Sequence, residues 1–106
     1  MPQFIFAYHG GKKPESEAEG AKEMEAWKNW MGSMGDALKV PGAPVGLSKT
    51  VSAGGVVDNG GANPLSGYTV VEAADQDAAC EMAKGCPMVV GGNGSVEVAE
   101  IIDMEM

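Results

Sequence analysis

The chain has 106 residues, with fifteen acidic and seven basic side chains, one histidine, and a formal charge of -8 at pH 7. That length fits a single domain spanning residues 1–106, with one two-layer core and no room for a second. The few lysines are scattered among glutamates, which excludes a phosphate-binding surface for nucleic acid and disfavours anionic membranes, and no apolar run approaches the ~20 residues that cross a bilayer.

No charged-then-apolar leader opens the chain, so the expectation is a soluble cytoplasmic protein. The first element is "QFIFAYH", residues 3–9. Phe4, Phe6 and Tyr8 alternate with Ile5, Ala7 and His9, a strand period with apolar groups on both sides, so both faces need covering. A helix follows: Ser16 with Glu19 three residues on forms a capping box, Glu15 and Glu17 complement the dipole, and the start falls near Pro14 to Ser16. Met24, Trp27, Met31, Met34 and Leu38 recur at intervals of three and four as one apolar stripe, while Gly32 and Gly35 weaken the last turns.

"VPGAPVG" breaks regular structure with its prolines and glycines, and "LSKTVS" (47–52) returns to alternating, β-branched residues as strand two. Residues 53–67 read as an irregular loop with a hairpin around Asp58-Asn59-Gly60. "GYTVVEA" (67–73) is the next strand, and Asp75 caps a short helix whose Ala78, Ala79, Met82 and Ala83 form an apolar stripe stopped by Gly85 and Pro87. "MVV", a Gly-Gly-Asn-Gly turn and "SVEVAEIIDM" read as a short strand paired with a long terminal one. The turn lacks phosphate-binding spacing.

This order, β-α-β-β-α-β with an extra hairpin near the end, is the ferredoxin-like arrangement in which two helices cover one face of an antiparallel sheet. Its other face is too apolar to stay wet, with Ala99 and Ile101 on one side of the last strand and Val96, Val98 and Ile102 on the other. A homodimer packed sheet to sheet is expected, of the dimeric α/β-barrel type.

Cys80 and Cys86 have neither CxxC spacing nor the look of a disulfide framework, and read as reduced thiols. With a single histidine beside them, no metal site is expected, and no cofactor either. Cys86 follows the C-terminal end of the second helix, where the dipole opposes a thiolate, so it is a poor nucleophile.

The segments "FAYHGG", "WKNWMGSMGDAL", "PGAPVGLSKTV", "SGYTVVEAADQDAACEMAKGCP" and "GSVEVAEI", taken together, resemble the YCII-related proteins, also called the DGPF-domain group. The resemblance runs over nearly the whole chain. It implies a dimeric α+β barrel-like fold with a cleft between the helix face and the loops, and a biochemical role mostly unassigned. Some YCII-like members carry a His in the first helix and an Asp at the end of strand one, and one branch is associated with a dehydrochlorinase of a chlorinated aromatic diol. Here the helix offers Trp27, Asn29 and Trp30 and the strand end offers His9, so that dyad does not carry over intact.

His9 is therefore weighed on its own residues. A histidine at a strand end is commonly a hydrogen-bonded structural residue; Gly10 and Gly11, which let the backbone turn and leave space beside the ring, equally suit a proton-transfer or ligand-binding role. As a base it needs an orienting partner, and Asp36 near the end of the first helix is the carboxylate nominated, against its plainer role as a solvated helix end. Trp30 lies about 60° off the core stripe and could border a pocket beside His9. Ser48 and Lys49, at the start of the expected strand two, could meet an anionic ligand or blunt a sheet edge. Tyr68 could donate its hydroxyl across the sheet or simply pack.

Two functions remain open: a small-molecule binding or regulatory module whose dimer cleft is lined by Trp30, His9 and Lys49, or a cofactor-free lyase or isomerase in which His9 moves a proton on a small aromatic or carbonyl compound. The missing acid–base pair favours the first. A structural or protein-interaction role is a third.

Overall fold

The computed structural model describes residues 1–11, 15–58 and 64–104. In chain order its elements are β1 (Gln3–Gly10), α1 (Glu17–Met34), β2 (Leu38–Pro44), β3 (Thr50–Ser52), β4 (Gly55–Val57), β5 (Leu65–Glu72), α2 (Gln76–Ala83), α3 (Pro87–Val90) and β6 (Gly94–Glu100). Four strands form one antiparallel sheet of order β2-β5-β1-β6. The ferredoxin-like α+β expectation holds.

The alternation in β1 is realised, with Phe4, Phe6 and Tyr8 buried and Ile5, Ala7 and His9 half-buried on the opposite side. The first set joins Val71, Trp30, Ala79, Ala83 and Cys86 in the core beneath the helices. Ser16 caps α1, its Oγ accepting the Glu19 N–H at 3.1 Å, while the Glu19 carboxylate accepts from the Glu15 N–H. Asp75 does the same for α2 through the Ala78 N–H at 2.8 Å.

Of the expected stripe, Trp27, Met31 and Met34 of α1 pack against the core, as does Leu38, which opens β2 instead of continuing the helix. Met24 is 61% exposed, and Trp30, expected off the stripe, is buried. Burial suits Trp30 because its indole N–H finds the Met82 carbonyl at 3.0 Å, while its ring stacks on Phe6 and meets Tyr8 and Trp27 edge-on.

Strand two also lies elsewhere than expected. The sheet takes Leu38–Pro44, in the stretch read as irregular, while Thr50–Ser52 pairs only with Gly55–Val57 in a separate hairpin. At a sheet edge Pro41 and Pro44 can face their missing N–H outward, at no cost to the ladder. Gly42 makes the strand possible: it sits at φ +75 where the register slips, and a Cβ there would collide with the Tyr68 carbonyl. The turn expected at Asp58-Asn59-Gly60 reaches Asn59 and Gly60, which lie outside the described residues.

The expected strand "MVV" is helical. Pro87 begins α3 where no N–H is needed, and the Cys86 carbonyl accepts from Val89 and Val90 at 2.9 and 3.0 Å. The glycine-rich turn therefore leads from a helix into β6 rather than closing a hairpin. Here the local capping geometry outweighs the β-propensity of two valines.

Candidate functional site

Both longer helices lie on one face of the sheet, so the chemistry of the other face is set by alternate strand residues. Register places them in rows. Ile5 stands between Val70 and Ala99, with Val40 beyond Val70; the next row along the strands is Ala43, Tyr68, Ala7 and Glu97; the last holds Leu65, His9 and Ser95. Directly opposed residues share a face, so Tyr68 and Glu97 stand on either side of the small Ala7, about 10 Å apart at two strand spacings.

His9 closes one end of this row. Its Nε2 lies 3.0 Å from the Glu97 carboxylate and its Nδ1 3.3 Å from the Pro64 carbonyl. The imidazole side chain is 13% exposed and the Glu97 side chain 72%. A carboxylate on one ring nitrogen fixes the ring's orientation, as general acid–base chemistry requires. Just beyond His9, Gly10 pairs with Gly94, and a side chain at Gly94 would press on the His9 carbonyl.

Of the six residues singled out by sequence, His9 and Tyr68 share this face. Asp36 does not join them: α1 runs back along the sheet, so the chain enters β2 with Leu38 level with Val71 and hence with Phe4. Five residues of β1, roughly 16 Å at ~3.3 Å each, separate that level from His9. Trp30 sits under the helices on the opposite side of the sheet, where it borders an open groove of about 440 Å³ with Met34, Glu81 and Met82. The aromatic residue on the His9 face is Tyr68, 37% exposed.

Ser48 and Lys49 follow β2 past Pro44, where the chain leaves the sheet at its His9 end. The Lys49 ammonium lies 3.2 Å from Asp58. The Ser48 and Ser66 hydroxyls are buried without a hydrogen-bond partner among the described residues.

Two further reactive groups point into the core. Burial pushes the Tyr8 phenol up to about 12, against the hydrogen bond it makes to Thr69, and burial pushes the Cys86 thiol up as well. Neither serves as a nucleophile from there. Among the described residues no three His, Cys, Asp or Glu side chains gather as a metal ion would need, and no helix is long and apolar enough to cross a membrane.

The architecture is that of a ferredoxin-like α+β domain with an imidazole–carboxylate pair on the sheet face opposite its two longer helices. The YCII-related domain matches residues 1–105, and the chain belongs to that family. Among solved structures it is similar to 5-chloro-2-hydroxyhydroquinone dehydrochlorinase from Burkholderia phenoliruptrix, in complex with 2,5-dihydroxybenzoquinone. The two are 14% identical over 90% of each chain, with a TM-score of 0.53, a likeness of fold. Comparison with curated proteins finds no match.

Glu97 is the site residue that sequence reasoning missed. Its signal lay in the strand alternation of "SVEVAE", which puts Ser95, Glu97 and Ala99 on one face, but pairing that face with β1 requires the register.

Proposed function

We propose that this YCII-related protein is a cytoplasmic small-molecule binding or regulatory module. It acts as a homodimer whose copies meet through their uncovered sheet faces and hold a metabolite over Ala7, between Tyr68, His9 and Glu97. The observation that carries the reading is the 3.0 Å contact between His9 and Glu97 on that face. The apolar row of Val40, Val70, Ile5 and Ala99 supports dimerisation, because a second copy would take it out of water.

A small floor with an aromatic wall on one side and a polar pair on the other suits a flat hydroxylated ring or a conjugated carbonyl compound. The fold relative's bound dihydroxybenzoquinone belongs to that class. Ser48, whose hydroxyl has no partner among the described residues, and Lys49, exchanging its contact with Asp58 for the ligand, would serve an anionic substituent at the same end of the sheet. Trp30 and Asp36 lie away from this row.

The same contact favours a second reading, a cofactor-free lyase or isomerase in which His9, oriented by Glu97, moves a proton on the bound ring. A panel of hydroxylated aromatics, quinones and small oxo acids, screened by calorimetry and by absorbance for turnover, separates the two. For a ligand of this site, His9→Ala is expected to weaken binding by about tenfold or more; equal binding to both proteins places the ligand elsewhere. Turnover that falls about 100-fold in Glu97→Gln while affinity is kept establishes the enzyme, and binding without turnover establishes the module.

A further inference from the structure

The β3–β4 hairpin carries apolar side chains on both faces and leaves them in water. Val51 and Val56 are cross-strand partners, 75% and 61% exposed, and Val57, paired with Thr50 on the other face, is also exposed. Leu47, just ahead of the hairpin, is fully exposed. The strands are three residues each and pair with none of the four in the main sheet. A two-stranded ribbon of that size has little stability alone in water.

The apolar strip continues onto the sheet. Val45, whose N–H bonds the Ser66 carbonyl at 3.0 Å, and Leu65 are exposed where the arm departs. The charges at the hairpin's base, Lys49 and Asp58, neutralise one another. What the arm offers is therefore uncharged and greasy, on a chain whose net charge of -8 would otherwise keep copies apart.

The surface area is larger than that of a compact chain of this mass. The chain exposes 7246 Å², whereas a compact monomer of its mass exposes about 5,600 Å². The difference is roughly twice the ~800 Å² that each partner loses in a standard interface. The radius of gyration, 15.0 Å, likewise exceeds the ~13 Å of a compact chain this long. Overall extents of 42 × 39 × 19 Å describe a slab rather than a sphere.

We infer that the β3–β4 hairpin is a dimerisation arm, its valines and Leu47 packing on a second copy of this chain. The inference rests on the proposed homodimer and adds a contact beyond the sheet face. A two-fold pairing uses each arm once on either side, so a single hairpin sequence contributes doubly to the buried area.

The test is sedimentation equilibrium of the full chain, of Val51→Glu/Val56→Glu, and of Val70→Glu on the sheet face. The arm substitutions replace exposed residues, so the circular dichroism of the fold should be unchanged. Their dimer is expected to weaken by about 100-fold. An arm variant that dimerises like the wild type overturns the arm while leaving the sheet-face dimer to stand on the loss caused by Val70→Glu. A wild type that stays monomeric at about 100 μM overturns both. A second measurement needs no loss of folding or affinity: p-benzoylphenylalanine at position 56, irradiated in a mixture of light and isotopically heavy chains, is expected to give mixed-isotope cross-links. Same-isotope products alone overturn the arm.

Discussion

The Tyr8 hydroxyl donates to Thr69 Oγ1 at 2.6 Å, and Thr69 in turn donates to the Pro41 carbonyl at 2.9 Å, so two hydroxyls tie together β1, β5 and β2. The strand ladder leaves the phenol buried, and burial disfavours the phenolate. Folded Tyr8 therefore keeps its proton up to about 12, against 10.0 as an ordinary phenol. A raised pKa in the native state means that the associated stability is whole below pH 10 and is lost as pH climbs toward 12, on the order of 2 kcal/mol. Urea unfolding across that range should show the extra loss in the wild type and not in Tyr8→Phe; equal slopes would mean that the phenol is not held protonated. The residue scale is also where sequence reading divides most sharply. The alternation of residues 3–9 is enough to put His9 opposite the core, yet its carboxylate comes from Glu97, 88 positions away, through a strand register that no local pattern encodes. Asp36 is nominated by its place near the end of the first helix, and that place alone sets no distance to His9. The antiparallel course of α1 carries it to the other end of the sheet.

Elements were legible wherever period and capping agreed. Ser16 and Asp75 mark the two longer helices, and the alternations at residues 3–9 and 67–73 mark the central strands. The failures fall where an edge or a proline changes the rules. β2 reads as a breaker because Pro41, Gly42 and Pro44 would ruin a central strand, while at an edge they are tolerated and Gly42 supplies the bulge. Gly42→Ala tests that account. The new Cβ meets the Tyr68 carbonyl and the positive φ strains any other residue, so the substitution should cost about 3 kcal/mol or more by denaturant unfolding. Gly46→Ala, where a Cβ has open space around it, should change stability by under about 1 kcal/mol. If the two variants are equally stable, the bulge is not what holds β2 to β5.

At the scale of the whole molecule, two features pull against each other: a net charge of -8 on each copy, and an uncovered sheet face and arm that only a partner would take out of water. Repulsion between like-charged chains acts over the Debye length, which shrinks from roughly 20 Å in dilute buffer to a few ångströms in half-molar salt; apolar burial is not screened. The proposed dimer should therefore tighten with added salt, the opposite of an interface held by ion pairs, which salt loosens. Raising sodium chloride from about 20 mM to about 500 mM is expected to lower the dissociation constant several-fold by sedimentation equilibrium. Lowering the pH toward the pI of about 4.4 should act in the same direction as the carboxylates discharge. A dimer that weakens steadily with salt would show that charge pairs, rather than the Val70 row and the valines of the arm, hold the copies together.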